Sequence, residues 1–349
     1  MCSFDDNGFY GKSIKAEIHL EIEYNLMNVT TAMENSTLAT NHSECYHVDS
    51  EFRRRSFLFF YLAIIITSIP SNVFSLFVSW QQMRLKNELG VYVFNLALSD
   101  LAFAVGLLLW IDFLWRGVWV HGGRMCVLSL YCLYTNFYTS EAFLCCIAVD
   151  RYMAVVHPFK YTSLRKVGTA AVVTVAIWIF VSCFNAVTIM WEDSYHEHKK
   201  SSECFDIFHP LSENLVRANV VRFFVGFIVP GFLLLFSTWG IRVAVKSNQA
   251  TGEQERRRIS RLLAGVLLCV FFCFGPYHVI MLLRTQLDDC RTVAWLLYPH
   301  KISTAISSLN CLADPLLYCL ITRTGQTSIS QVVVFFQGKK RNNEITVQV

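Results

Sequence analysis

The amino-acid sequence predicts an all-α protein, a seven-transmembrane helix bundle followed by a short amphipathic eighth helix. Hydrophobic residues make up 54 % of the 349 residues and charged residues only 16 %, which is too apolar for a water-soluble domain of this length. Apolar stretches recur along the chain, each long enough for roughly 20 residues of membrane-spanning helix. Only helices that satisfy their own backbone cross a bilayer at these lengths, so an all-helical bundle follows.

The apolar stretches are seven in number, and short polar segments separate them. Each is predicted to form one span, and an odd number of spans places the two chain termini on opposite sides of the membrane. The predicted spans are Ser56 to Trp80, Val91 to Leu114, Met125 to Val156, Val167 to Trp191, Val216 to Val245, Ile259 to Arg284 and Ala294 to Thr322.

Three glycosylation sequons, at Asn28, Asn35 and Asn41, crowd the polar stretch before the first span. They predict an extracellular N-terminus and a plasma-membrane location, although the basic run Arg53 to Arg55 on the same side weakens the charge argument. The chain then divides into residues 1–54, an extracellular glycosylated tail; residues 55–323, the seven-helix domain; and residues 324–349, a cytosolic tail. Within that tail, Ser328 to Gln337 is predicted to form the amphipathic helix on the lipid surface.

Charge and cysteine usage exclude several functions. The net charge is only +4, so nucleic acid is not a predicted partner. The thirteen cysteines include no CxxC pattern, no metal centre is predicted, and no catalytic constellation indicates an enzyme. Four cysteines lie in exposed segments and suit two disulfides on an oxidising face: Cys45, Cys126, Cys204 and Cys290.

The triplet Asp150-Arg151-Tyr152 ends the third span. An arginine near the membrane interface can pair with the neighbouring acid or, when released, with another group, so the triplet predicts a two-state ion lock. Cys126 precedes it by about one membrane crossing of helix, and Cys204 follows the fourth span.

Together these residues resemble the rhodopsin-like G-protein-coupled receptors, and further motifs of that family follow in order. They are Asn72, Leu96-Ala97-Leu98-Ser99-Asp100, Trp178, Pro230, Cys273-Phe274-Gly275-Pro276 and Asp314-Pro315-Leu316-Leu317-Tyr318. The resemblance implies a heterotrimeric G protein as partner, bound through Asp150, Arg151, Tyr152 and Tyr318 when the sixth span swings outward at its proline. It also implies a sodium pocket lined by Asn72, Asp100, Ser140, Asn310 and Asp314.

Two single positions exclude particular classes of ligand. Ser308 stands where opsins carry the retinal lysine, and Leu133 stands where amine receptors place an aspartate. Other stretches resemble the proton-sensing group of the family, which implies extracellular protons as the ligand and a stimulatory G protein. These stretches are Asn87-Glu88-Leu89-Gly90, Leu109-Trp110-Ile111-Asp112, Phe184-Asn185-Ala186-Val187, Trp191-Glu192-Asp193 and Pro276-Tyr277-His278, with Arg222 in the fifth span and Asp314 before Pro315.

Histidines are the first predicted sensor, because the imidazole changes charge near pH 6.5. His278 and His300 lie inside spans, where an ionisable group indicates function. His121 and His209 are further candidates near the outer face. Protonated histidines near one another or near Arg222 repel, so acid should favour an arrangement that separates them.

Buried carboxyl groups are the second predicted sensor. Asp100 and Asp314 should share one small cavity, in which both ionise only if a cation such as sodium lies between them. One departure from the proton-sensing pattern is Val181, where the group has a glutamate, and another is Glu141 in the third span, where the family has a neutral residue. We predict that Glu141 replaces the missing carboxyl group; a polar residue tolerated by a water pocket is the alternative.

Two other functions remain open at this point. A lysophospholipid or another anionic small molecule could bind Arg222, Arg284 and Lys301 on the same fold. A transporter or channel would require broken helices in paired repeats, and the sequence contains no internal repeat.

The sequence predicts disulfides Cys126–Cys204 and Cys45–Cys290, the second of which pins the N-terminal tail to the segment before the seventh span. Replacing both Cys45 and Cys290 by alanine should therefore lower surface expression and the response to acid. Flow cytometry and a cyclic AMP assay measure the two effects. Unchanged expression and response in this double variant would contradict the second bridge.

Overall fold

A computed structural model describes residues 50–157, 159–162, 164–191, 204, 211–247 and 253–321. The predicted glycosylation sites Asn28, Asn35 and Asn41, the predicted bridge partner Cys45, the candidate sensor His209 and the amphipathic helix at Ser328 to Gln337 lie outside these residues. The side chains of Cys290 and Tyr318 lie outside the described part as well.

Seven helical rods account for nearly all of the described residues, as the sequence predicts. Four are uninterrupted: α1 (Glu51–Arg84), α2 (Leu89–Arg116), α3 (Gly122–Val156) and α4 (Val167–Trp191). The other three contain irregular turns. α5 comprises Glu213–Phe223, the π-helical segment Phe224–Ile228 and Val229–Ser247; α6 comprises Glu253–Cys269, the π-helical segment Val270–Phe274 and Gly275–Arg284; α7 comprises Cys290–Ser307 and Asn310–Ile321.

Five stretches are long and apolar enough to cross a membrane by length and composition, and they lie in α1, α2, α4, α5 and α6. The middle of α3 is more polar, with Thr135, Asn136 and Glu141 among its residues. A turn at Ser308 and Leu309 divides α7.

The rods pack in a closed order with α3 at the centre. Neighbours in sequence contact one another, α7 returns to α1, and α3 contacts α2, α4, α5 and α6. Phe137 and Phe143 of α3 are completely buried, whereas Phe59 of α1 is 69 % exposed on the outer surface. Such exposed apolar side chains are favourable only against lipid, because in water they would form an aggregation-prone patch.

Arg54 joins the start of α1 to the end of α2. Its guanidinium donates hydrogen bonds to the carbonyl oxygens of Leu114 and Trp115, which belong to the last turn of α2 and lack helical donors. The left-handed Gly117 (φ 79°) ends α2, and a Cβ there would lie 3.4 Å from the guanidinium. Arg54, one of the basic residues that oppose the orientation expected from the distribution of charge, thus caps the end of α2.

The π-helical segments of α5 and α6 lie beside the helix prolines. Pro230 follows the first and Pro276 the second, and a proline cannot donate to the preceding turn. Ser307 of α7 donates a 2.7 Å hydrogen bond to the carbonyl oxygen of Cys273, within the π-helical segment of α6. The carbonyl groups released by the irregular turn are thus partly satisfied by a neighbouring rod.

A disulfide joins Cys126 at the start of α3 to Cys204, with the two Cα atoms 5.8 Å apart. This pairing confirms the first predicted bridge. We call this end of the bundle the disulfide end and the opposite end, which carries Asp150 and Arg151, the Arg151 end.

Candidate functional site

Glu141 of α3 and His278 of α6 meet in the bundle interior. Glu141 Oε1 lies 3.3 Å from His278 Nε2, and each side chain is only 1 % exposed. Neither carboxyl oxygen of Glu141 has a hydrogen-bond partner among the described residues, and neither has His278 Nε2. Two side chains that the sequence proposed separately as sensors thus form one close buried contact between an acid and a base.

Aromatic rings enclose this pair. Phe227 of α5 stacks on the His278 ring with centroids 5.3 Å apart, and the centroids of Tyr138 and His278 are 6.1 Å apart. Gly226 makes this packing possible, because a Cβ there would lie 2.5 Å from Tyr138 Cε1 and 3.3 Å from His278 Cε1. The absence of a side chain at one position of the π-helical segment therefore sets the packing around His278.

A cavity of about 350 Å³ lies beside Glu141, between α3, α4 and α5. Val181, the position at which the proton-sensing group has a glutamate, lines the same cavity. A carboxyl group on α3 and one on α4 would thus occupy the same region of the bundle. The replacement of the missing glutamate by Glu141 stays a prediction. It requires that the two positions lie close together, and both line this cavity.

Arg222 of α5 lies in the interior toward the disulfide end. It donates hydrogen bonds to Thr188 Oγ1 at 2.6 Å and to Asn219 Oδ1 at 3.2 Å. Its guanidinium carbon lies 4.7 Å from the ring centroid of Tyr134. Neutral oxygens and an aromatic face therefore stabilise a buried cation here, as expected for the residue type.

His300 and His121 occupy different places near the disulfide end. His300 packs against Tyr277 with ring centroids 5.7 Å apart and, with Lys301, lines a largely aromatic cavity of about 80 Å³ between α1, α2, α3, α6 and α7. His121 Nε2 lies 2.9 Å from Asp112 Oδ2, near the surface. The structure thus separates His300 and His121 from the Glu141–His278 pair.

The predicted sodium pocket is organised by a residue that sequence reasoning missed. Asn136 Nδ2 donates to Asp100 Oδ1 at 2.9 Å and lies 3.4 Å from Ser140 Oγ, and Asn136 Oδ1 accepts from Asn310 Nδ2 at 3.5 Å. Asn72 instead donates to the carbonyl oxygen of Cys311 at 2.9 Å and so joins α1 to α7. Asn136 lies four residues before Ser140 and therefore on the same face of α3, and this spacing could have indicated that Asn136 belongs to the pocket.

The acidic residues of this pocket fit a hard cation. Asp100 Oδ2 and both carboxyl oxygens of Asp314 are buried and have no hydrogen-bond partner among the described residues. Oxygen donors of this kind, with the nearby Ser140 hydroxyl and the Asn310 amide, suit an ion such as sodium. Within the described ranges, no group of three His, Cys, Asp or Glu side chains converges as in a metal centre.

The Arg151 end carries a network of four charges. Asp150 Oδ2 accepts from Arg151 Nε at 3.0 Å, in agreement with the predicted pairing. Arg165 Nε lies 3.4 Å from Asp150 Oδ1, and Arg165 Nη2 donates to Glu88 Oε1 at 2.9 Å. Arg151 Nη2 also lies 3.8 Å from Glu88 Oε1. Sequence reasoning missed Arg165 and the role of Glu88, because these residues lie in the segments just before α4 and α2, far from Asp150 in sequence.

Tyr152 completes this end by packing against α5. Its ring lies 5.4 Å from that of Phe236, and a Cβ on Gly240 would come within 2.4 Å of the Tyr152 ring. The predicted coupling residues Asp150 and Arg151 therefore contact the segments just before α4 and α2, and Tyr152 contacts α5.

Comparison with known proteins gives one family match and several relatives. The family described as 7 transmembrane receptor (rhodopsin family) matches residues 71–318. G-protein coupled receptor 65 from Homo sapiens is 38 % identical over 316 residues, 85 % of this chain and 92 % of the relative. G-protein coupled receptor 68 from Homo sapiens is 34 % identical over 274 residues, 78 % and 75 % of the two chains. Lysophosphatidic acid receptor 6 from Mus musculus is 29 % identical over 304 residues, 84 % and 88 %.

Replacement of Gly226 by alanine should destabilise the receptor, because the new methyl group would overlap Tyr138 and press on His278. We expect a loss of about 1–3 kcal/mol, the usual cost of overpacking, which is measured as a lower melting temperature of the purified protein.

Gly231→Ala is the matched control on the same rod, since its Cβ would lie 3.6 Å from Phe271 in ordinary contact. Both variants gain the same helix propensity, so their difference isolates the overlap. Equal melting temperatures would show that Tyr138 moves aside without cost.

Proposed function

Because the chain belongs to the rhodopsin family of seven-transmembrane receptors, whose members are receptors and not enzymes, we propose that it senses extracellular acid at the plasma membrane and activates a heterotrimeric G protein. The disulfide end faces the extracellular medium and the Arg151 end faces the cytosol. The G protein is of the stimulatory class, so acid raises cyclic AMP. The observation that carries this proposal is the buried contact between Glu141 and His278, which joins α3 to α6.

The protonation states of this contact explain how acid acts. With one proton the pair is neutral overall, either as carboxyl and imidazole or as carboxylate and imidazolium. A second proton leaves an imidazolium beside an uncharged carboxyl group, and an uncompensated buried charge costs several kcal/mol. A conformation in which α6 moves away from α3 and admits water lowers that cost.

Proton linkage determines the direction in which acid shifts the conformational equilibrium. The conformation that holds the second proton more tightly becomes more populated as the pH falls. Each unit of difference in pKa between the two conformations contributes about 1.4 kcal/mol, whereas a nearly complete switch requires about 5.5 kcal/mol. Several groups must therefore titrate together.

Other ionisable groups supply the remaining free energy. Tyr138 and Cys145 on α3 and Tyr277 on α6 lie near the pair and set its local field. Asp100 and Asp314 form a second layer, in which a bound sodium ion opposes protonation. His300 and the His121–Asp112 pair form a third layer near the outside.

Signalling at the Arg151 end requires the charge network to open. Movement of α6 exposes the cytosolic surface of α3 and α5, and Arg151 then exchanges Asp150 and Glu88 for the G protein. The close packing of Tyr152 on α5 supports this coupling, because a shift of α5 moves Tyr152 directly.

A lysophospholipid is the second candidate ligand. It is supported by the cavity at the disulfide end, where the positively charged Lys301 lies beside aromatic side chains and would receive the phosphate group. One relative is named as a lysophosphatidic acid receptor. Arg222 and Arg284 would add positive charge to the same region.

A cyclic AMP titration from about pH 8 to about pH 6, the range in which histidine titrates, tests the main proposal. The response should rise with acid and require more acid when sodium is added. A flat pH response together with activation by a lysophospholipid panel at constant pH would establish the second candidate instead.

Glu141→Gln should move the activation midpoint to higher pH or raise basal signalling, since an amide imitates the protonated carboxyl group. We expect a shift of about half a pH unit or more, equal to about 0.7 kcal/mol. Adding Val181→Glu should restore some acid dependence, because both positions line one cavity. Glu213→Gln is the control, as its side chain is 79 % exposed and its carboxylate pairs with the exposed Arg217. A wild-type pH curve for a well-expressed Glu141→Gln receptor would exclude Glu141 from the sensor.

Arg151→Ala should abolish coupling to the G protein while the receptor still reaches the surface, because the charge that the G protein receives is lost. Arg217→Ala removes an exposed arginine from another ion pair and should signal normally. Second-messenger output normalised to surface expression measures both. Wild-type efficacy in Arg151→Ala would show that activation does not pass through this arginine.

A further inference from the structure

The cavity beside Glu141 opens on the flank of the bundle. Its inner wall consists of buried residues of α3, α4 and α5, among them Tyr138, Val181 and Pro230. Its rim carries Phe180 of α4 and Val225 of α5, both exposed on the outer surface. A molecule therefore enters between α4 and α5 and not from either end of the bundle.

The opening lies at the depth of the hydrocarbon core. Glu141 stands 19 residues after the first residue of α3 and 15 before its last, so each end of the helix is about 20–30 Å away at 1.5 Å per residue. The medium that faces the opening is thus lipid, and only molecules that dissolve in lipid reach it.

The chemistry of the wall selects an uncharged ligand. Val173, Ile177, Phe184 and the rim residues present an almost entirely apolar surface to the cavity. Both carboxyl oxygens of Glu141 are buried behind that surface. A volume of about 350 Å³ falls in the range of small-molecule sites, and apolar cavities remain dry and bind apolar molecules.

We infer that this cavity is a second ligand site, which takes a compact, uncharged, hydrocarbon-rich molecule from the membrane. Its occupant stabilises the folded receptor by burying apolar surface of the wall. Nothing in this binding step requires that protons activate the receptor.

The test uses the full chain in lipid nanodiscs and three probes of one shape: 1-adamantanol, 1-adamantylamine and adamantane-1-carboxylate. At neutral pH we expect 1-adamantanol to raise the melting temperature by about 2 °C or more, with smaller effects of the two charged probes. Ala176→Trp, at the rim, should remove this shift, because the indole ring would occupy the opening. Val175→Trp is the control, because Val175 is 57 % exposed to lipid and does not line the cavity.

The charged probes and the Ala176→Trp variant test the ligand class and the position of the site separately. A larger shift with the amine that disappears in Glu141→Gln would overturn the uncharged ligand, and an unaltered 1-adamantanol shift in Ala176→Trp would overturn the site. The absence of any shift with 1-adamantanol overturns the inference as a whole. A receptor that 1-adamantanol stabilises but that acid does not activate would overturn the proposed function while leaving this site intact.

Discussion

Lipid cannot form hydrogen bonds, and this constraint determines where each polar side chain of the bundle lies. Phe59 and Ile66 of α1 face outward, whereas Asp100, Asn136 and Arg222 are buried and bonded to side chains of other rods or of their own. A polar group placed outward would lose its partners at a cost of several kcal/mol. At the depth of the hydrocarbon core, charged groups are therefore stable in the bundle interior and not on its outer surface, and the candidate functional residues of that depth lie inside as a consequence of the medium.

Adjacent residues of α3 connect the two interior layers. Ser140 lies beside Asn136 in the Asp100 cluster, while Glu141 contacts His278 of α6. Consecutive residues on a helix point about 100° apart, so one turn of α3 contributes to both layers. A rotation of this rod changes the surroundings of both carboxyl groups together, which is the arrangement that a cooperative proton response requires.

The sequence predicted the seven rods and many interior residues, because lipid exposure leaves a strong apolar pattern. It predicted their ends less well: α1 begins at Glu51 and not Ser56, since Ser50 accepts a hydrogen bond from the Arg53 amide and extends the helix beyond the apolar stretch. The pairings Asp150–Arg151 and Cys126–Cys204 were predictable from short motifs. The contact of Glu141 with His278 joins two rods and depends on their mutual rotation, which one sequence does not specify. The link from Arg165 to Glu88 joins the segments before α4 and α2, whose proximity one sequence does not specify either.

The π-helical turn at Phe224–Ile228 divides α5 into two lengths of regular helix whose faces are set independently. Each π turn accommodates one residue more than a regular turn, so the half that carries Arg222 is rotated relative to the half that follows Pro230. A one-residue deletion inside this segment would turn it into ordinary helix and redirect Arg222, while the register of the half that packs against Tyr152 remained unchanged. Insertions and deletions here thus offer evolution a route to new ligand preferences without altering the surface offered to the G protein.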